Sequence, residues 1–157
     1  MDAPAGIDRP RWRTTLTYRF TPTLQAGIEF NAAVGEANPI ANWFVLRETA
    51  AQPALVLGTS SDRIGTPEGK RAWFATVARS LRGAPLSVYA GVSYSEADRT
   101  VLAPFGCTVQ LAERWSLQPM HDGHATHTLL TWSNGRETVS VMAVWNRRVG
   151  VSLGLEF

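Results

Sequence analysis

The chain has 157 residues, of which 45% are hydrophobic and 18% charged, so it has enough apolar material for one domain and is not a disordered chain. Its 15 basic and 13 acidic residues nearly balance, without any long run of like charge, which argues against nucleic acid as a partner. The single cysteine, Cys107, excludes an intrachain disulfide, and apolar runs such as residues 141–145 are far shorter than the ~20 residues of a membrane-spanning helix.

The first ten residues contain no secretion signal. Residues 1–10 have neither a positively charged start, nor an apolar stretch, nor a cleavage site of small residues. They are predicted to be a disordered or extended segment, followed by a single domain over residues 11–157. Taken alone, this start argues for the cytosol, and the alternative is a mature or truncated chain.

A hairpin is predicted at the start of the domain. Residues 11–20 alternate between an apolar, aromatic face and a polar face, and residues 24–34 do the same after the turn Thr21-Pro22-Thr23. Folding the two strands about this turn sets Arg19 opposite Gln25, Thr15 opposite Glu29 and Arg13 opposite Asn31. Glu29 and Arg13 are then diagonal neighbours on one face.

The same period of two continues along the chain. It is clear over residues 86–94, 139–145 and 149–157 and weaker over residues 40–47, 54–60, 71–80, 105–112, 115–120 and 126–132. Breaks rich in proline, glycine or polar residues separate these segments, among them residues 36–39, 61–69 and 95–99. About eleven strands result, and the clearest are ~9–12 residues long, against a usual ~5–6. Residues following Pro67 could instead open a helix with Trp73 and Phe74 on its packed face.

The chemistry of the two faces favours a membrane. The chain has one lysine, Lys70, and the polar faces of the clear strands consist mainly of small neutral residues. Aromatic residues lie near strand ends: Trp12, Phe20, Tyr94, Trp132, Trp145 and Phe157. A transmembrane barrel combines these features, with an apolar exterior, aromatic girdles and a polar lumen.

The last strand, residues 149–157, has apolar residues at alternate positions and ends on Phe157. It resembles the carboxyl-terminal strand of Gram-negative outer-membrane β-barrel proteins. The resemblance implies an antiparallel up-and-down transmembrane barrel of about 10–12 strands. It also implies an outer-membrane location, contact with the lipid bilayer and lipopolysaccharide, and recognition of the last strand by the assembly machinery. With Phe157 in the periplasm, residues 61–69 and 95–99 lie outside. The odd strand count predicts that about one upstream strand is absent or that one candidate is not a strand, and the missing signal favours the truncation.

The barrel assigns each candidate residue to a side. The residues predicted to line the lumen are Arg11, Arg13, Arg19, Glu29, Arg148 and Glu156. Those predicted to face lipid are Leu16, Tyr18, Ile28, Phe30, Val151, Leu153, Leu155 and Phe157. The charges could form an anion-favouring pore, but a barrel of this size has little free bore, which favours mutually neutralising pairs and a structural or passive transport role. No cofactor and no catalytic residue is assigned.

Three other interpretations stay open. His121, His124 and His127 could bind a metal, although an external polar loop explains them more simply. Resemblance to outer-membrane phospholipases and lipid A deacylases would imply a lipid-modifying enzyme with a His-x-Ser pair. The nearest match, His124-Ala125-Thr126, lacks the serine nucleophile, although Asn134 or Glu137 could be a third member. A soluble calyx that holds a small apolar ligand would turn Leu16, Tyr18, Ile28, Phe30, Val88 and Val151 inward and Arg13, Glu29, Ser87 and Gly150 outward.

Overall fold

The computed structural model describes residues 13–32, 35–62, 67, 69–145 and 147–156. They form twelve β-strands and no helix. These residues therefore contain no helix that is long and apolar enough to cross a bilayer. The strands are β1 (Thr14–Arg19), β2 (Leu24–Asn31), β3 (Glu36–Leu46), β4 (Ala54–Ser61), β5 (Arg71–Ser80), β6 (Leu86–Ser95), β7 (Thr100–Leu102), β8 (Phe105–Ala112), β9 (Trp115–His121), β10 (Thr126–Ser133), β11 (Glu137–Val144) and β12 (Arg148–Leu155). The predicted segment 1–10 lies outside the described residues.

The strands form an antiparallel sheet in which chain neighbours are sheet neighbours, with β7 beside β6 and off the main path. The predicted all-β, up-and-down architecture is therefore confirmed. The order begins at β1 and ends at β12, and no pairing joins these two strands within the described ranges, so the sheet is not closed. Two compact units divide the chain: Met1–Val77 with Val92–Leu102, and Ala78–Gly91 with Ala103–Phe157. They are called the first and second units and are described separately.

The first hairpin has the predicted register. Thr15 lies opposite Glu29 and Arg19 opposite Gln25. The Thr21 hydroxyl closes the turn by accepting the amide hydrogen of Leu24 at 2.9 Å. The position of the turn at Pro22 determines which residues lie opposite each other. In this register the apolar residues of both strands point to the same side of the sheet.

Strand β3 begins earlier than predicted. Residues 36–39, which the sequence marks as a break, belong to the strand, and Pro39 lies opposite Ile28. The pairs between β3 and β4 begin only at Ala41 opposite Thr59. Pro39 therefore lies where β3 has one ladder partner, a position that tolerates the missing amide hydrogen.

Residues 71–80 form strand β5, and the helical alternative is wrong. The alternation of Trp73 and Phe74 between the two faces explains the outcome. A Cβ built on Gly58 of β4 would lie 2.5 Å from Cζ of Phe74, so the phenyl ring occupies the space above a glycine. This packing needs Phe74 on the opposite face from Trp73, which only a strand provides.

The sequence analysis missed strand β7. Residues 93–95 of β6 pair with β7, and residues 86–90 of the same strand pair with β8. Between them, Pro104 contributes its carbonyl oxygen to the Gly91 amide at 2.9 Å. Since proline has no amide hydrogen, the ladder is interrupted there, and one edge of β6 meets two short strands instead of one long strand.

Candidate functional site: the two faces of the sheet

Strand pairing sorts the side chains of the first unit into two faces, because directly opposite residues point to the same side of a sheet. Leu24 of β2 lies opposite Trp43 of β3, which lies opposite Leu57 of β4, and all three side chains are exposed. One position along, Gln25, Asn42 and Gly58 form the corresponding row on the other side. We call the two sides the apolar face and the polar face.

The second unit has longer rows of the same kind. Its apolar face carries a row across six strands: Leu86, Val109, Leu117, Leu130, Val141 and Val151. Its polar face carries Gln110, Ser116, Thr131, Ser140 and Ser152 across five strands. The hydroxyls of Thr131 and Ser140 are hydrogen-bonded at 2.8 Å. The row of hydroxyls is therefore partly satisfied by its own members.

Burial is reversed with respect to the usual soluble arrangement. The most buried polar residues among those described are Glu29, Thr59, Asp62, Ser95, His127 and Ser140, whereas the buried hydrophobic ones are only Ile40, Ala72 and Leu102. Large apolar side chains are widely exposed, and in the β11–β12 hairpin Val141 is 46% exposed while its neighbour Ser140 is 7% exposed. Extended exposed apolar surface is uncommon on soluble monomers and marks contact with a partner or a membrane.

The residues predicted to face lipid all lie on the exposed apolar surface where they are described. These are Leu16, Tyr18, Ile28, Phe30, Val151, Leu153 and Leu155; Phe157 lies outside the described residues. In β12 the exposed fraction is 77% at Leu153 and 79% at Val149. The polar residues of β12 are also exposed, so exposure in this strand does not by itself distinguish the faces.

The charged residues predicted to line a lumen behave differently from one another. Arg13 and Glu29 meet, with Nη1 of Arg13 3.4 Å from Oε1 of Glu29. The second oxygen of Glu29 accepts the Ser61 amide hydrogen at 3.1 Å and the Ser61 hydroxyl hydrogen. Each oxygen of this buried carboxylate thus has a donor, which is the condition for burying it at tolerable cost.

Arg13 itself is exposed, and so are the other predicted lumen charges that the structure describes. Arg19 lies opposite Gln25, and the guanidinium of Arg148 lies 5.5 Å from the Trp145 ring centroid. The Glu156 amide donates to the Arg136 carbonyl oxygen at 2.8 Å. Arg11 lies outside the described residues. The structure therefore brings together one predicted pair, Arg13 with Glu29.

A buried pair that the sequence analysis missed lies in the first unit. The Ser95 hydroxyl, which is fully buried, donates to Oδ2 of Asp62 at 2.6 Å, and the Ala97 amide donates to the same oxygen at 3.1 Å. The Ser95 hydroxyl oxygen also accepts the Asp98 amide hydrogen. This pair holds the turn between β6 and β7, and only the polar character of residues 61–62 and 95–98 hinted at it.

The three histidines do not form a metal cluster. His127 is buried, with Nε2 3.0 Å from Oδ2 of Asp122 and Nδ1 accepting the Trp145 amide hydrogen at 3.3 Å. Both ring nitrogens are therefore occupied, and the lone pair that a metal would need accepts a backbone hydrogen instead. No group of three or more potential ligands lies together in the described part of the chain.

Asp122 is the centre of the turn before β10. Its Oδ1 accepts the amide hydrogens of His124 and Ala125, both at 2.8 Å. Burial of Asp122 by itself raises its pKa, but the hydrogen bonds from His127 and from these amides outweigh burial, and the pKa lies below its ordinary value. These hydrogen bonds stabilise the turn between β9 and β10. They give the buried His127 ring a structural role that needs no ligand.

The residues considered for a lipid-modifying enzyme are far apart. His124 lies in the turn before β10, whereas Asn134 and Glu137 lie in the turn after it, where Nδ2 of Asn134 donates to Oε2 of Glu137 at 2.9 Å. The eight residues of β10 separate the two turns by ~25 Å at the rise of a strand. These residues cannot form one catalytic site within this unit.

Aromatic rings over glycines fill part of the polar face. The Phe74 ring lies over Gly58 in the first unit, and in the second the Tyr89 ring lies over Gly106, directly opposite in β8. A Cβ on Gly106 would lie 2.7 Å from the Tyr89 hydroxyl oxygen. Each glycine therefore makes room for the ring of a large side chain close to the sheet.

Comparison of the chain with protein-family models, curated proteins and solved structures finds no match. The functional conclusion therefore depends on the geometry of the two faces.

Proposed function

We propose that this chain forms a transmembrane β-barrel domain in the outer membrane of a Gram-negative bacterium, with a structural or passive transport role and a narrow polar lumen. The observation that carries the proposal is the reversed burial: hydroxyls and carboxylates are buried where apolar residues such as Val141 and Val151 are exposed. Hydrocarbon around the apolar face would remove the contact of its side chains with water. This contact is unfavourable in free energy for a sheet with so much exposed apolar surface.

Barrel closure follows from the same environment. Backbone amide and carbonyl groups at the edges of β1 and β12 have no sheet partner in the described order. In a bilayer core each unsatisfied group costs several kcal/mol, so only closed sheets span it. Within the proposal these edges are paired, either with each other or with further strands.

A narrow lumen fits the contents of the polar face. The rings of Phe74 and Tyr89 lie over glycines, the buried Glu29 contacts Arg13 and Ser61, and the Thr131 and Ser140 hydroxyls are hydrogen-bonded. Such a face fills interior space, and its buried carboxylate has a positively charged partner. These contents favour a structural role over transport through a wide channel.

The calyx alternative fits these observations less well. It needs Leu16, Ile28 and Phe30 to be enclosed and Glu29 to face solvent, whereas these apolar side chains are 41–60% exposed and Glu29 is 9% exposed. A soluble chain would have to cover this surface with another partner.

Refolding with and without micelles tests the proposal. The chain is diluted from denaturant into buffer alone and into detergent micelles, and folding is followed by circular dichroism and by the heat-dependent shift in electrophoretic mobility typical of folded barrels. We expect a compact β-structure and the mobility shift only with micelles, because the apolar face needs an apolar solvent. A folded, monodisperse protein in buffer alone would overturn the proposal.

A further inference from the structure

The apolar face of the first unit contains a depression of about 480 Å³, which is within the ~300–1,000 Å³ of typical small-molecule sites. We call it the groove. Its lining comes from β3 to β7 and includes Trp43, Leu57, Trp73, Val92, Tyr94 and Val101. It is open to its surroundings and nearly all apolar, so its chemistry suits a flexible hydrocarbon chain.

A cation lies beside the groove. The Arg71 guanidinium lies 4.9 Å from the ring centroid of Trp73, and its Nη2 donates to the Thr59 hydroxyl at 3.1 Å and to the Pro39 carbonyl oxygen at 3.4 Å. Its Nε is buried and has no hydrogen-bond partner among the described residues. A buried guanidinium donor without an acceptor is costly, and the Arg71 guanidinium would lose that cost by turning to an anionic oxygen beside the groove.

The nearby carboxylate of Glu96 does not accept a hydrogen bond from the Arg71 guanidinium. Glu96 accepts the Trp73 indole hydrogen with Oε1 at 3.2 Å and the Arg71 amide hydrogen with Oε2 at 3.1 Å. Both of its oxygens are thus directed to other donors. The side chain of Arg71 is left with neutral oxygen acceptors only.

We infer that the groove binds one acyl chain of lipid A, with a lipid A phosphate on Arg71. The inference rests on the proposed function and on the orientation that puts residues 61–69 and 95–99 outside, where the outer leaflet consists of lipopolysaccharide. Arg71 begins β5 and Glu96 follows β6, so the cation lies at the external end of β5, beside Trp73 of the groove. A phosphorylated amphiphile of that leaflet presents its phosphates at this level and its chains below it, and a phosphate oxygen would accept a charge-assisted hydrogen bond from the Arg71 guanidinium.

The test measures the lipid A bound per folded protein. The full chain is folded in micelles, transferred to nanodiscs containing lipid A and phosphatidylethanolamine, extracted with mild detergent, and analysed by native mass spectrometry. Arg71→Gln removes the cation and Ala75→Trp fills the groove, which Ala75 lines. The matched controls are Arg148→Gln, which removes an arginine stacked on Trp145, and Val139→Trp on the apolar face of β11.

We expect Arg71→Gln and Ala75→Trp each to retain about fivefold less lipid A, as the loss of one charge-assisted hydrogen bond or of the chain's space implies, with both controls unchanged. Equal retention in all five proteins, or retention of phosphatidylethanolamine in place of lipid A, overturns the inference. Failure of the membrane proposal is distinguishable, since it appears beforehand as folding without micelles. Each variant enters the comparison after it shows the heat-dependent mobility shift.

Discussion

Replacing Val141 with arginine should lower the free energy of unfolding from a bilayer by about 2–4 kcal/mol, the cost of a cation on the lipid face near the midplane. Val141 lies in the middle of β11 within the six-strand apolar row and is 46% exposed. So large a loss of unfolding free energy at an exposed position is expected only if hydrocarbon surrounds the valine side chain. The measurement is equilibrium unfolding in urea of the chain folded into short-chain phosphatidylcholine vesicles.

Ser152→Arg is the matched control for this substitution. Ser152 lies in the same hairpin, opposite Ser140 on the polar face. Because a lumen-facing arginine keeps contact with polar groups and water, we expect a loss below about 1 kcal/mol. If both variants stay within about 0.5 kcal/mol of the parent chain, as surface substitutions in soluble proteins do, the apolar face does not contact lipid.

Replacing Gly58 with alanine should destabilise the sheet by about 1–3 kcal/mol, the usual cost of overpacking. The added Cβ would lie 2.5 Å from the Ala41 carbonyl oxygen and 2.5 Å from Cζ of Phe74. The backbone oxygen cannot withdraw without disturbing the β3–β4 ladder, and the ring can do so only by leaving the face it fills. The same urea unfolding measures the effect.

Gly150→Ala provides the comparison within β12. A Cβ there would have its nearest neighbours at 3.9 and 4.0 Å, on Val144 and Met142. This spacing is ordinary van der Waals contact, so we expect a change within about 0.5 kcal/mol. Equal stability of Gly58→Ala and Gly150→Ala would contradict the packing of Phe74 against the sheet.

The sequence predicts the strands well because the period of two is a direct consequence of strand geometry. Alternation in residues 11–20 and 24–34 and the turn at Pro22 give the pairing of Thr15 with Glu29 and bring Arg13 to Glu29. The charges on one face and the apolar residues on the other follow from the same period.

Other features could not be predicted because they depend on contacts distant in sequence. Residues 36–39 join β3 since Pro39 has a single ladder partner, and β7 depends on where Pro104 interrupts the ladder along β6. The Asp62–Ser95 bond joins residues 33 positions apart. The Arg71 side chain at the groove depends on Thr59 and Pro39 from two other strands.

The central claim is that the apolar face contacts hydrocarbon, and tryptophan fluorescence with brominated lipids tests it most directly. Trp43, Trp73 and Trp115 are 51%, 49% and 44% exposed, so their indoles report on whatever surrounds the sheet. We predict strong quenching by bromine atoms on the acyl chains and weak quenching by aqueous iodide. Strong iodide quenching with emission unaffected by the brominated lipids would contradict the account.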